Sequence, residues 1–399
     1  MVCDASDSQV LRNNTEAERV MKLHTIGFDA KRAAQNRTGL GNYSRFVING
    51  LSRYAPDLHQ VLYVPNPKRV EALKDVDDIE NLTLRYPNGM WKAARSAWRT
   101  WGITHQLEVD GIQLYHGLSG ELPLNINKAR DVRSIVTIHD LIFLRYPELY
   151  KPIDRKIYEY KFRRACQQAD RIIAVSKQTC SDVIDFFGID ASKISVVYQG
   201  CNESFRKPVS EEMYQEVRQH YNLPERYILY VGSIEERKNL GLLADALAQI
   251  GDKEVHVVAV GRRTPYADQV QQRVNSLGLA ARFRMISGVP FAHLPALYQQ
   301  ASLFVYPSRF EGFGIPLLEA LCCGTPVIGC TGSCLEEAGG PSSIYVDPDD
   351  ATALAQAIND VLSDDELSSH MSSEGLKYAQ QFEAEALTMN LLKEYSTLC

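Results

Sequence analysis

The chain has 399 residues, 45% of them hydrophobic and 23% charged, with a formal net charge of −6. That is the make-up of a soluble globular protein of two or three domains, and a net acidic chain is not expected to hold nucleic acid. No apolar run approaches the roughly 18 residues that a membrane-spanning helix needs. The nine cysteines are scattered, with Cys322-Cys323, Cys330 and Cys334 closest together and no C-x2-C pair among them. Neither a zinc site nor a disulfide framework is indicated, so reduced, buried cysteines in a cytoplasmic protein are expected.

In chain order, residues 1–20 are polar and lack the apolar core of a signal peptide, so they read as a disordered extension, with Met21 a candidate start. A first strand is expected at 23–28, followed by Thr38-Gly39-Leu40-Gly41-Asn42-Tyr43, a glycine-rich turn opening a helix at 40–54. Further strands fall at 61–64, 82–85, 113–115, 134–138, 171–175 and 194–197, and helices at 91–106, 155–168 and 179–187. In the helix at 91–106, Trp91, Ala94, Trp98 and Trp101 recur at helical spacing beside Lys92, Arg95 and Arg99. Such a stripe suits core packing, or an interfacial helix with aromatic anchors beside cations. The strand at 134–138 ends in Thr137-Ile138-His139-Asp140-Leu141, with a histidine and an aspartate at its carboxyl end.

The second half repeats the pattern more plainly. Strands are expected at 227–231, 255–260, 283–286, 303–306, 326–328 and 344–346, with helices at 239–250, up to about 277 and around 317–321, and a last helix at 383–398. Short apolar runs alternating with helices indicate parallel sheets covered on both faces. The reading is therefore α/β, two doubly wound domains at 21–206 and 207–382 followed by a C-terminal segment at 383–399, which the family resemblance given below implies returns to the first domain. Residues 21–200 carry 26 Lys and Arg against 19 Asp and Glu, a net of +7, whereas 201–399 carry 15 against 26, a net of −11. A basic first half suits an anionic partner such as a lipid-phosphate acceptor or a membrane surface.

Two segments of the second half carry chemistry. Gly232-Ser233-Ile234-Glu235-Glu236-Arg237-Lys238-Asn239 follows a strand and sets two cations at a helix start, where they would neutralise a diphosphate. Ser308-Arg309-Phe310-Glu311-Gly312-Phe313-Gly314-Ile315-Pro316-Leu317-Leu318-Glu319 runs from a strand end through a glycine loop into a helix, with two carboxylates eight positions apart. A carboxylate accepts paired hydrogen bonds from vicinal hydroxyls, so two of them suit a substrate bearing two diols, such as a nucleotide-sugar. Asp347-Pro348-Asp349 has the look of a metal-binding D-x-D but reads as a solvated loop, and no metal or cofactor is expected.

The Glu311–Glu319 string resembles the E-x7-E signature of the retaining glycosyltransferases of family 4, which have the GT-B fold of two Rossmann-like domains facing across a cleft. The resemblance extends to Arg237-Lys238, similar to the family's diphosphate clamp, to the Gly39–Gly41 loop and to the His139 strand end. The chain departs from the family at Ser233, where many members have arginine, so the second cation must be Arg237, Arg262 or Arg263. Ile138-His139-Asp140-Leu141-Ile142-Phe143 and Tyr115-His116-Gly117 look most like bacterial mannosyltransferases of cell-surface polysaccharides. The resemblance implies a nucleotide-diphosphate sugar as donor and a glycan or lipid-linked acceptor. It assigns Glu319 to the ribose diol and Glu311, with the backbone of Phe313, Gly314 and Ile315, to the sugar. It further assigns Lys238 and Arg237 to the diphosphate, Gly39 and Gly41 to the donor phosphate, His139 to sugar and acceptor, and Asp140 to the acceptor. Ser176-Lys177 and Gln199–Asn202 match family segments at other strand ends. The protein would act in the cytoplasm, with a peripheral membrane contact through its first domain. A non-catalytic nucleotide-sugar-binding assembly protein and a GT-B epimerase are the other readings. A dinucleotide-dependent oxidoreductase is not expected, since no G-x-G-x-x-G follows the first strand.

Overall fold

The computed structural model describes residues 23–76 and 81–399; the expected extension at 1–20 and the candidate start Met21 lie outside them. The chain divides into two units, one running to Gln199 and taking back Ala384–Cys399, the other comprising Gly200–Glu383. The boundary falls seven residues before the expected one. The reason is packing: the Phe205 ring sits edge-on to Phe291 and Tyr298, Arg206 donates to the Ala379 carbonyl, and the thiols of Cys201 and Cys322 lie 3.2 Å apart. Residues 200–206 thus belong to the core of the second unit.

The first unit is built on seven strands, β1 (Thr25–Asp29), β2 (His59–Tyr63), β3 (Leu82–Arg85), β4 (Leu114–Gly117), β5 (Arg133–Ile138), β6 (Arg171–Ala174) and β7 (Ile194–Val196). They pair in the order β3-β2-β1-β4-β5-β6-β7, every neighbour parallel. The second unit has β8 (Tyr227–Val231), β9 (His256–Val260), β10 (Phe283–Ile286), β11 (Leu303–Tyr306), β12 (Val327–Cys330) and β13 (Ile344–Val346), ordered β10-β9-β8-β11-β12-β13 and again all parallel. Every strand expected from the apolar runs is present. The central runs are continuous rather than alternating because helices cover both faces, and the side chains of Leu303–Tyr306 are buried whichever face they point to, whereas the outer strands Leu82–Arg85 and Phe283–Ile286 carry polar residues and are only partly buried.

In each sheet the strand order reverses direction at one place, between β1 and β4 in the first and between β8 and β11 in the second. Loops leaving the carboxyl ends of the strands flank a crevice at such a point, which is where open α/β sheets take ligands. The glycine turn follows β1, the Arg237-Lys238 segment follows β8, and the Glu311 loop follows β11. His139 ends β5, one strand away from the first reversal.

The last helix, Ala384–Ser396, packs on the helix Gly39–Tyr54, where a side chain on Gly50 would collide with Thr388. Its Tyr395 is fully buried and reaches β4. The segment expected as one helix at 91–106 has a separate tight turn at Gly89–Lys92 and then runs as a helix over 95–109 that widens to a π-helical turn at Trp98–Gly102. The wider turn takes the tryptophans out of one stripe. Trp98 is buried against Tyr63, Trp91 and Trp98 both close on Gly102, and only Trp101 is exposed. Of the two readings of this stripe, core packing holds for Trp98, while Lys92, Ala94 and Trp101 stay exposed. Among the described residues no helix is long and apolar enough to cross a membrane.

Candidate active site

In the second unit the loop after β11 turns through Gly314, whose φ of +112° is a conformation that strains any residue with a Cβ. A side chain there would also press on Leu335 and Ala338. Gly314 is the cap of the helix Ile315–Cys322, whose first turn carries Pro316 and brings the Phe313–Ile315 backbone to the helix start. Three residues earlier, Glu311 is held almost motionless. Its Oε1 accepts hydrogen bonds from the Tyr306 hydroxyl at 3.0 Å, the Ser308 hydroxyl at 2.9 Å and Arg237 Nη1 at 2.8 Å, with Lys238 Nζ at 3.9 Å. None of these four contacts uses Oε2. Although burial disfavours its charge, the adjacent Lys238 and Arg237 and the Ser308 hydrogen bond hold the Glu311 carboxyl below the usual range. It is a charged group at neutral pH.

Arg237 also donates to the Phe310 carbonyl, while its own carbonyl accepts the Arg309 N–H, so it stitches the β8 loop to the β11 loop. Lys238 stands over the Tyr306 ring, 5.5 Å from its centroid. Room for Lys238 exists because Gly232 has no side chain: a Cβ there would sit 3.3 Å from the ammonium. Of the three cations the sequence left open, Arg262 is exposed and pairs with Glu235, and Arg263 pairs with Asp268. The structure brings only Arg237 and Lys238 to Glu311.

Glu319, about one turn into the helix Ile315–Cys322, has a different environment. One oxygen accepts the Tyr298 hydroxyl at 2.9 Å, and burial, only partly offset by Tyr298 and Lys238, pushes its carboxyl up to about 7. The two glutamates of one motif thus differ in charge for a stated cause: Glu311 has two cations beside it and Glu319 has one more distant.

The first unit is arranged on another principle. His139 is buried; its Nε2 donates to the Leu118 carbonyl at 2.8 Å and its Nδ1 accepts from the Gln199 amide at 3.2 Å. Tyr43 meets its ring edge-on at 4.6 Å. Burial lowers its pKa to about 4, so the ring is neutral, with both nitrogens engaged. Behind it lies a network that sequence reasoning did not assemble. His116 hydrogen-bonds with the Tyr395 hydroxyl at 2.7 Å and with Thr137 Oγ1 at 2.8 Å, and Thr137 with the Tyr43 hydroxyl at 3.1 Å. Burial, with His139 a lesser cause, lowers His116 to about 3.

Asp140 is half-buried and accepts the Ile142 N–H at 3.1 Å, opening the short helix Ile142–Arg145. Gly39 starts the helix after β1 with open space where a Cβ would stand, whereas Gly41 lies so close to the Asn36 carbonyl that no side chain fits. Gly41 is thus a packing glycine and Gly39 the one with space beside it. Ser176 caps the helix Lys177–Phe187, so its strand-end position serves structure. Asp349 pairs with Arg309 at 2.6 Å, and no cluster of three metal-ligating side chains occurs among the described residues.

Two family models match, one per unit: "Glycosyltransferase Family 4" over residues 41–205 and "Glycosyl transferases group 1" over residues 214–378. The chain is similar to O-antigen chain mannosyltransferase B of Escherichia coli, 33% identical over 291 residues, 71% of this chain and 74% of that protein. It is also similar to the D-inositol 3-phosphate glycosyltransferase of Corynebacterium aurimucosum, 25% identical over 307 residues, 73% of this chain and 72% of the relative. Among solved structures it superposes on Anabaena HepE in complex with UDP and glucose, with a TM-score of 0.72, 19% identity, and coverage of 94% of this chain and 99% of that one. With both units matched and a relative this close over most of its length, the chain belongs to the family 4 (group 1) glycosyltransferases and has their GT-B fold of two Rossmann-like domains.

Proposed function

We propose that this glycosyltransferase is a retaining hexosyltransferase that moves a sugar, mannose by preference, from a nucleotide-diphosphate donor to a hydroxyl of a glycan or lipid-linked acceptor. The setting is the synthesis of surface polysaccharide in the cytoplasm. One observation carries the reading: a partly buried, ionised Glu311 fixed through one oxygen between Arg237 and Lys238, at the point where the second sheet reverses. The mannose preference rests on the similarity to the E. coli mannosyltransferase.

In this reading Glu311 Oε2 accepts the sugar hydroxyls, helped by the backbone N–H groups of Phe313, Gly314 and Ile315, and Glu319 accepts the ribose diol. Lys238 meets the diphosphate, and Arg237, already bonded to Glu311 and Phe310, positions the carboxylate and adds its charge. As the bond from the sugar's anomeric carbon to the phosphate oxygen breaks, these cations stabilise the charge on the leaving diphosphate. The acceptor oxygen bonds to the same face of that carbon, and its proton passes to the departing phosphate oxygen. A neutral His139 with both nitrogens already engaged is poorly placed to act as a base, which favours this front-face route, and its contact to sugar and acceptor would be through the ring or by exchanging the Gln199 bond. Asp140 sits beside it for the acceptor. Gly39, with space where a side chain would be, is the glycine suited to approach the donor phosphate. The cations at the diphosphate make a metal unnecessary in this scheme.

The test is incubation with a panel of nucleotide-sugars and a lipid-linked glycan, in EDTA, following nucleoside diphosphate and glycan mass. The expected result is acceptor-dependent diphosphate release, fastest with a mannose donor, and a product whose anomeric configuration matches the donor. Diphosphate release without acceptor would instead identify an epimerase, and binding without turnover an assembly protein.

A further inference from the structure

Three cysteines of the second unit, Cys201, Cys322 and Cys323, cluster at the end of the helix that carries Glu319. Cys201 and Cys322 are buried, and their sulfurs lie 3.2 Å apart. The segments that present them are both anchored. Cys201 belongs to residues 200–206, where Phe205 is fully buried against Tyr298 and Arg206 donates to the Ala379 carbonyl. Cys322 closes the helix Ile315–Cys322, about one turn after Glu319. Cys323 follows, half-buried, and donates to the Phe205 carbonyl at 3.3 Å. The thiols differ in acidity. The hydrogen bond from Cys201 lowers the Cys322 pKa against the effect of burial, with Arg206 helping, and the same bond holds Cys201 well above the usual thiol range. Burial raises Cys323 as well, and it pushes Cys166 and Cys330 up to about 12. A lone buried cysteine acts as a small apolar filler, but two in contact, one of them the more acidic, are arranged for thiol chemistry.

We propose that Cys201 and Cys322 form a reversible oxidation site, which hydrogen peroxide closes into a disulfide that ties the helix of Glu319 to the first residues of the unit. The Cys322 thiolate attacks one peroxide oxygen and breaks the O–O bond; the other oxygen leaves as hydroxide and takes a proton to become water, and Cys322 becomes a sulfenic acid. The Cys201 sulfur then attacks that sulfenic sulfur. The S–S bond forms, the hydroxyl leaves, and with the Cys201 proton it becomes a second water. The two thiols lose two electrons and the peroxide gains them, so no other co-reactant is needed. Peroxide is close to water in size, and the pair adjoins the half-buried Cys323, which gives the oxidant a short way in. The acidity order places the attack on Cys322 and leaves Cys201 to resolve it, with Cys323 spared. The bond draws its two segments together at the end of the helix that holds Glu319, so oxidation is expected to weaken the hold on the donor nucleotide. That consequence rests on the proposed function, while the cross-link does not.

The experiment treats the reduced full chain with hydrogen peroxide under native conditions, alkylates the remaining thiols and maps an unreduced digest by mass spectrometry. A peptide pair joined through Cys201 and Cys322 is expected, with both thiols regained on adding dithiothreitol. Cys201→Ser is expected to stop at a sulfenic acid on Cys322 that dimedone captures, whereas Cys322→Ser should give neither the bond nor a dimedone adduct on Cys201. Nucleoside diphosphate affinity is expected to fall at least about threefold on oxidation and to recover on reduction. Peroxide should leave it untouched in Cys201→Ser/Cys322→Ser, whose melting transition shows that it folds. Absence of the Cys201–Cys322 pair from the native protein, its formation only in denaturant, or equal joining of Cys201 to Cys323 would overturn the proposal. A cross-link that leaves affinity unchanged would overturn its coupling to the donor, and absence of sugar transfer by a reduced wild type that still forms the cross-link would instead overturn the function.

Discussion

The two units share a fold but differ in the surroundings of Glu311 and of His139. In the second unit the reversal of the sheet holds opposed charges, an ionised Glu311 against Arg237 and Lys238. In the first unit the end of β1 also holds opposed charges, a buried Asp29 paired with Arg99, which in turn meets Glu121, but around the end of β5 lie neutral, buried rings, His139, His116, Tyr43 and Tyr395. Cations of the basic first half also lie on exposed surfaces such as the helix Pro152–Gln168. One sheet architecture takes either arrangement because the strand-end loops, not the strands, supply the side chains. Fixed charge suits a diphosphate whose charge grows during reaction; a neutral hydrogen-bonding wall suits hydroxyls.

The contrast can be broken first at its charged pole. Glu311→Gln keeps the size and removes the charge that orders Arg237, and is expected to lower kcat by about 10²–10³. Transfer within a few-fold of wild type would remove Glu311 from the site. Lys238→Ala is expected to cost about 10² in kcat, whereas Arg262→Ala, an exposed cation paired with Glu235, should change it by less than about twofold. Equal losses would mean that the diphosphate is met by general positive charge and not by a placed ammonium.

The pH response sharpens the same comparison. His139 stays neutral from pH 5 upward because its pKa is lowered to about 4, so the first unit should add no pH dependence there. Glu319, raised to about 7, loses its proton as pH rises through neutrality and gains an acceptor for the ribose diol. Donor affinity measured by calorimetry should therefore strengthen modestly between pH 6 and 8, and Glu319→Gln should flatten the profile. The linkage to stability runs the other way. The folded state holds the Glu319 proton more tightly than the unfolded chain, so this group's contribution falls as pH rises from the ordinary carboxyl value of 4.5 towards 7. Glu311, lowered, contributes stability above that value and loses it as pH falls.

The smallest expected effect lies in the neutral network. Tyr395→Phe removes the hydrogen bond to His116 and should cost about 1 kcal/mol of stability, read by denaturant titration, with donor binding intact.

Much of this was legible in the residues. The strands of the described residues announced themselves as short runs rich in apolar residues, most plainly the central ones, where burial on both faces leaves no alternation to misread. The Glu311 loop and the Arg237-Lys238 pair were visible because their glycines and charges stand at strand ends. What was not legible depends on contacts remote in sequence. Which arginine accompanies Lys238 is decided by the Phe310 carbonyl, 73 positions away, and the bond between His116 and Tyr395 spans 279. The periodicity of Trp91, Trp98 and Trp101 suggested one helix face, yet the wide turn at Trp98–Gly102 turned Trp98 into the core. The contact between Cys201 and Cys322 went unread because the two thiols stand 121 positions apart.

The most direct measurement is the nucleoside diphosphate dissociation constant of wild type, Lys238→Ala and His139→Ala, each checked for folding. The proposal that Lys238 meets the donor diphosphate while His139 does not predicts at least about tenfold weaker binding for Lys238→Ala and no change for His139→Ala. Unchanged binding in Lys238→Ala, or an equal loss in His139→Ala, would contradict it.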